Sequence, residues 1–140
     1  MSRYLLDTDM LSLFQQGHPT VVGRVNRTPV ADLIICTITL LEQMHGWQTA
    51  LNRARDARQL ARAHELVVVR LLPAWRSFTV LAMTELAILR FEHLRTLRLN
   101  IGQMDLRIGA VALESGLIVA TRNLRDFQRV PGLTCEDWSV

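Results

Sequence analysis

The chain has 140 residues, 49% of them hydrophobic, and a formal net charge of +3. Such a length and apolar content suit a single folded domain over residues 1–140 and exclude a disordered or low-complexity chain. Every one of the 16 Lys or Arg positions is arginine, which excludes chemistry that needs a catalytic lysine, and the two cysteines form no CxxC pair, which excludes a disulfide scaffold.

The apolar run Tyr4-Leu5-Leu6 reads as a buried strand ending at Asp7, with Thr8-Asp9 opening a short helix over residues 9–16 that stops at Gly17. A second helix is expected over 19–26, begun by Pro19 and ended by Thr28-Pro29. The run Leu33 to Cys36 is a second strand. It passes into Thr37-Ile38-Thr39, where a hydroxyl is expected to cap a helix that carries Glu42 to about residue 52.

Residues 54–72 read as one longer helix stopped by Pro73, followed by a short strand at 78–81. The next helix, 84–98, is expected to bury Leu86, Leu89, Leu94 and Leu97 on one face. Asp105 then opens a helical stretch to Ser115, a strand follows at 117–120, and a turn at 124–127 leads to a last edge segment at 133–136. Strands alternating with helices predict an α/β fold, a three-layer α/β/α sandwich with a mainly parallel sheet.

This order has a chemical consequence. About ten helical residues run out roughly 15 Å and the following extended residues return about as far, so Asp105 and the Thr121-Arg122-Asn123 turn with Asp126 meet at one sheet edge. Asp7 and Glu42 follow strands that end at that same edge, where open α/β sheets keep their ligands. Four carboxylates, Asp7, Glu42, Asp105 and Asp126, repel one another unless a hard cation such as Mg²⁺ or Mn²⁺ joins them. Asp7 and Asp105 are the candidate central ligands, Glu42 and Asp126 complete or orient the set, and Thr8, Asp9, Thr121 and Asn123 are candidate supporting groups. A pair of such ions suits phosphodiester hydrolysis. Each acid taken alone also fits a plainer role, with Asp7, Asp9 or Asp105 as a helix cap, Glu42 as a solvated helix residue and Asp126 as turn chemistry.

Elsewhere the chain offers little chemistry. His18, His45, His64 and His93 form no zinc pattern, Ser12, Ser77 and Ser115 lack a nucleophile-elbow setting, and no phosphate-binding glycine loop occurs. Arg55, Arg58 and Arg62 recur at helical spacing and read either as a phosphate-tracking stripe or as a solvated face. Trp47, Trp75 and Trp138 are too dispersed to form a base-stacking platform. Charges interrupt every apolar run short of membrane-spanning length and the start shows no signal-peptide pattern, so a cytoplasmic protein is expected.

Four segments together resemble the PIN-domain ribonucleases, specifically the VapC-type toxins: Leu5-Leu6-Asp7-Thr8-Asp9, Thr37-Ile38-Thr39-Leu40-Leu41-Glu42, Ile101-Gly102-Gln103-Met104-Asp105-Leu106-Arg107-Ile108 and Thr121-Arg122-Asn123-Leu124-Arg125-Asp126-Phe127. The ending Val130-Pro131-Gly132-Leu133 with Glu136-Asp137-Trp138 extends the similarity over nearly the whole chain. The resemblance implies a PIN-like domain, a Mg²⁺- or Mn²⁺-dependent endoribonuclease acting on structured RNA such as tRNA or rRNA, a VapB-type antitoxin as partner, and a homodimer. It also implies that Asp7, Glu42, Asp105 and Asp126 are the acidic metal-site residues, supported by Thr121 and Asn123. Two positions depart from the pattern: Asp9 stands where asparagine is also common, and Gly109 replaces a usual alanine. Thr20 to Arg62 is the expected partner-facing region, with Leu40 and Leu51 available to an antitoxin helix. The competing readings are a non-catalytic PIN-like binding partner and a haloacid dehalogenase-like phosphatase. The second rests on the DxD of Asp7-Thr8-Asp9 and is weakened by the missing lysine.

Overall fold

The computed structural model describes residues 2–140. Five short strands form one sheet: β1 (Tyr4–Leu6), β2 (Leu33–Cys36), β3 (Thr79–Leu81), β4 (Ile118–Ala120) and β5 (Cys135–Glu136). Their spatial order is β3-β2-β1-β4-β5 and every pairing is parallel, with Leu5 opposite Ile34 on one side and Val119 on the other. Parallel neighbours need crossover segments, and helices supply them. These are α1 (Thr8–Gln15), α2 (Pro19–Arg27), α3 (Thr37–Arg53), α4 (Ala57–Leu66), α5 (Leu72–Arg76), α6 (Glu85–Thr96), α7 (Gln103–Ser115) and α8 (Leu124–Phe127).

Alternation along the strands divides the core. Leu6, Leu33, Ile35 and Ala120 point to one side, where Met10, Leu11, Val21, Val25 and Ala74 cover them from α1, α2 and α5. Leu5, Ile34, Cys36 and Val119 point to the other, against Ala87, Ile108, Val111, Ala112 and Phe127 of α6, α7 and α8. The expected three-layer α/β/α arrangement with a parallel sheet is therefore present. Helix α7 ends at Gly116, whose φ of +65° is the left-handed conformation that stops a helix at little cost in glycine, and the chain turns from there into β4.

Several local expectations need correction. No hydroxyl caps α3. Cys36 occupies its N-cap without a side-chain hydrogen bond, while the Thr37 hydroxyl accepts from the backbone N–H of Met83 at 3.2 Å. Residues 54–72 are not one helix stopped by Pro73. Helix α4 ends at Leu66, a π-helical turn spans Val67–Leu71, and Pro73 lies inside the first turn of α5. A proline ring clashes with the carbonyl four residues earlier in a regular helix, and the wider turn before it accommodates that ring, so the chain bends instead of stopping. On α6 the buried positions are Ala87, Phe91 and Leu94; Leu86, Leu89 and Leu97 are exposed, so the expected face holds only at Leu94. This helix carries apolar residues nearly all round, and periodicity could not select its inner face.

Asp105 does not cap α7, since Gly102 is the N-cap and Asp105 is the third residue of the helix, in its first turn. Asp7 is indeed the cap of α1, accepting from the backbone N–H of Met10 at 2.8 Å. Leu40 is not free for a partner, because it packs against the core side formed by α1 and α2.

Candidate metal-binding active site

Strand order reverses across β1. The chain builds outward through β2 to β3, then returns to place β4 on the other side of β1, and the carboxyl ends of β1 and β4 flank this switch point. Asp7 follows β1, and Thr121 to Asn123 follow β4. An open basin of about 630 Å³ lies there, lined by Asp7, Thr8, Asp9, Ser12, Glu42, Asp105, Arg122 and Asn123. Four of these carry carboxylates and one, Arg122, carries a positive charge.

Asp7 is 4% exposed. Burial pushes its carboxyl up to about 6, although the Thr121 hydroxyl and the Met10 N–H both hydrogen-bond to it and favour the charged form; Asp105 and Asp9 push it further up by repulsion. Thr121 is itself fully buried and also accepts from the N–H of Asn123 at 2.8 Å, so one hydroxyl links the β4 turn to the β1 carboxylate. Burial likewise raises Asp105, opposed by the Asn123 amide and reinforced by the charges of Glu42, Asp126 and Asp9.

Glu42 is held by a short hydrogen bond from the Thr8 hydroxyl, and the Thr39 hydroxyl lies 3.2 Å from that of Thr8. Asp9 pairs instead with Arg122 at 2.8 Å, half-exposed, where solvent leaves such a contact little net strength. Asp126 does not line the basin. It accepts from the Asn123 amide at 2.9 Å and pairs with Arg129 at 3.2 Å, while the same amide group reaches Asp105 at 3.3 Å. The structure thus brings Asp7, Glu42 and Asp105 to the basin directly and places Asp126 behind Asn123.

Gln43 and Thr39, both buried, were not singled out from sequence. Gln43 carries no motif signal, and Thr39 figures in the sequence as a possible cap and as part of the Thr37 to Glu42 segment, without a role at the site. Arg122 sat inside a noted triplet without a role.

Among the described residues no three acidic, imidazole or thiol groups close into a ligand cage. An open set of hard oxygen donors still fits Mg²⁺, which keeps several waters and is commonly held by one or two carboxylates together with substrate phosphates. The uncompensated acids around Asp7 are the observation in favour of that fit: a cation there would relieve the repulsion that, with burial, raises its carboxyl. Asp7 and Asp105 could hold the ion, with Glu42 beside them.

A second cavity of about 390 Å³ adjoins the basin and shares Thr8, Ser12 and Glu42 with it. Trp47, Ala50, Ala63, Leu66 and Leu71 give it apolar walls from α3, α4 and the π-helical turn. In its floor Gln43 and Gln15 exchange hydrogen bonds, and the indole N–H of Trp75 donates to Gln43 Oε1 at 2.9 Å.

No protein-family profile matches the chain. Over 139 residues it is 27% identical to a tRNA(fMet)-specific endonuclease VapC of Shigella flexneri, covering 99% of this chain and 100% of the relative. It is 29% identical to the Ribonuclease VapC1 of Haemophilus influenzae strain R2866, over 97% of this chain and 98% of that one. Among solved structures, the DNA-bound VapBC of Salmonella typhimurium matches with a TM-score of 0.80 and 26% identity, covering 99% of both chains. VapBC-1 of nontypeable Haemophilus influenzae matches at 0.69 and 27% over 98% of both. The fold and its acidic switch-point basin define a PIN-like domain. Within that class, the chain is similar to VapC-type proteins over nearly its whole length.

Proposed function

We propose that this protein is a divalent-metal-dependent endoribonuclease toxin that hydrolyses phosphodiester bonds in structured RNA, tRNA or rRNA, and is neutralised by a VapB-type antitoxin. The observation that carries the reading is the convergence of Asp7, Glu42 and Asp105 at the carboxyl ends of β1 and β4, with Asp7 buried and unneutralised. The names of the VapC relatives support the reaction class, and VapBC assemblies among the structural matches support the partner.

A divalent ion, Mg²⁺ or Mn²⁺, supplies Lewis-acid polarisation of the phosphoryl group and neutralises charge that develops during hydrolysis. The chain's own residues prepare that chemistry. Thr121 and the Met10 N–H hold the Asp7 carboxylate in one orientation, and Asn123 does the same for Asp105. Thr8 turns Glu42 toward the basin. Asp126 acts through Asn123, fixing the amide that orients Asp105.

The apolar cavity beside the basin fits one face of an amphipathic antitoxin helix, packed on Trp47, Ala50, Ala63 and Leu66. A segment lying there passes Thr8 and Glu42 and shuts RNA out of the basin. The outer face of α6, with Leu86 62% and Leu89 53% exposed, suits a second copy in a homodimer. Among the described residues no helix is long and apolar enough to cross a membrane. A cytoplasmic site of action follows from the RNA substrate.

The test incubates purified, antitoxin-free protein with total cellular RNA and Mg²⁺ or Mn²⁺, beside Asp7→Asn and Asp105→Asn, and maps the ends. Discrete metal-dependent cuts that vanish in both variants are expected. Folded protein that binds neither metal nor cuts RNA would instead make this a binding partner without catalysis.

A further inference from the structure

On the α7 side of Glu42 lies a third cavity of about 440 Å³, lined by Ile38, Leu41, Glu42, His45, Met104 and Arg107. Its walls are apolar but open, with Leu41 61% and Met104 47% exposed next to a basin of carboxylates. Arg107 is a cation without a carboxylate partner. Its guanidinium lies 4.6 Å from the centre of the Phe91 ring and its Nη1 contacts the Met104 sulfur at 3.6 Å, and none of the ion pairs among the described residues includes it. Asp105 is two positions away on α7, a spacing that points the two side chains apart. Stacked on an aromatic face, the guanidinium keeps its in-plane donors free for an incoming anion.

We propose that this cavity seats the nucleotide adjoining the scissile bond, with its base against Ile38, Leu41 and Met104 and its phosphate on Arg107. The inference rests on the ribonuclease reading and narrows its substrate. Glu42 lines both the basin and this cavity, so an RNA strand with one phosphate in the basin carries its neighbouring nucleotide here. A phosphate entering beside four carboxylates needs local compensation, and Arg107 provides it. The apolar walls match the faces of a base, and His45 can meet its polar edge. A base reaches such a seat only when it is unstacked and unpaired.

The experiment first maps the wild-type cut in total RNA. It then uses a short single-stranded RNA spanning that cut and two versions carrying an abasic nucleotide on one or the other side of it. Rates are measured for wild type, Leu41→Ala, Met104→Ala and Arg107→Gln, with molecular mass by light scattering. One abasic version should lose roughly tenfold or more in kcat/KM with the wild type, chiefly through KM, as expected for loss of one seated base. Met104→Ala and Leu41→Ala should discriminate less between intact and abasic RNA, and Arg107→Gln should raise KM for all three. Equal cleavage of all three RNAs by wild type overturns the seat. So does a fall in mass of Leu41→Ala or Met104→Ala with abasic discrimination unchanged, which assigns the face to a second copy. Failure of the wild type to cut any cellular RNA overturns the ribonuclease reading itself, and the seat with it.

Discussion

The carboxamides of Gln15 and Gln43 face each other in a reciprocal pair, Gln43 donating to Gln15 at 2.7 Å and Gln15 donating back at 3.0 Å. This pair ties α1, which carries Thr8, to α3, which carries Glu42, and the Trp75 indole joins α5 to the same oxygen. Gln43→Leu fills similar space but leaves two polar groups without partners. It should lower unfolding stability by about 1–3 kcal/mol, and chemical denaturation reads this directly. A variant as stable as wild type would show that water replaces the pair freely.

Asp7 carries a stability cost that depends on pH. Its folded carboxyl is raised from 3.8 to about 6, so between those values the folded state binds more protons than the unfolded chain and stability falls as pH rises. Above about 6 the whole penalty is present, on the order of 3 kcal/mol. Asp7→Asn keeps a capping oxygen for Met10 and removes the charge. Without metal it should melt higher than wild type at pH 7.5, with the gap closing toward pH 4. Mg²⁺ should raise the melting temperature of wild type and leave Asp7→Asn unmoved.

Asn123 joins Asp105 to Asp126 without capping α8 through its side chain. Asn123→Leu should therefore disturb the site more than the fold. Loss of such an orienting partner commonly costs about 10–100-fold in metal affinity or activity. Parallel Mg²⁺ titration and RNA-cleavage rates would show it, and an unchanged ion affinity would remove Asn123 from the orienting role.

Ala63 lines the apolar cavity from α4 and is not among the residues that line the basin. Ala63→Arg places a long charged side chain in the proposed antitoxin seat. Binding of an antitoxin peptide, measured by calorimetry, should be lost while metal-dependent RNA cleavage persists. Retained tight binding would move the partner to another face.

Gly109, in mid-helix in α7, has room for a methyl group: an added Cβ would meet Leu133 and Val130 at 3.7 Å, ordinary contact. Gly109→Ala should therefore stabilise the protein by up to about 1 kcal/mol through helix propensity. Thermal melting of the two proteins decides it.

Strands β1 and β2 were legible because a short apolar run leaves few alternatives, and after β1 the capping Asp7 also marks where the next helix begins. Leu33 to Cys36, buried at every position, is such a run. The acids were legible by position along the chain, since strand ends in an alternating fold share an edge. What stayed hidden depended on three-dimensional competition. Leu86 and Leu89 are as apolar as Phe91, and only packing against α7 selects the inner face of α6. Pro73 signalled a stop, but a change of helical pitch upstream absorbed it. The place of Asp126 behind Asn123 depends on how the short turn after β4 folds back, and Gln43 gains its role from Gln15, 28 positions away, and from Trp75.

The sheet order also bears on how this protein is made. Strand β1 leaves the ribosome well before its neighbour β4, which is completed only at Ala120, and Asp105 arrives shortly before that. Pairing across such a long stretch of chain cannot precede synthesis of that chain. The basin is thus absent until the turn after β4, with Arg122 and Asn123, has also emerged. On the proposed reading, the domain cannot cut RNA until β4 has paired with β1, and a partner has that interval in which to be waiting.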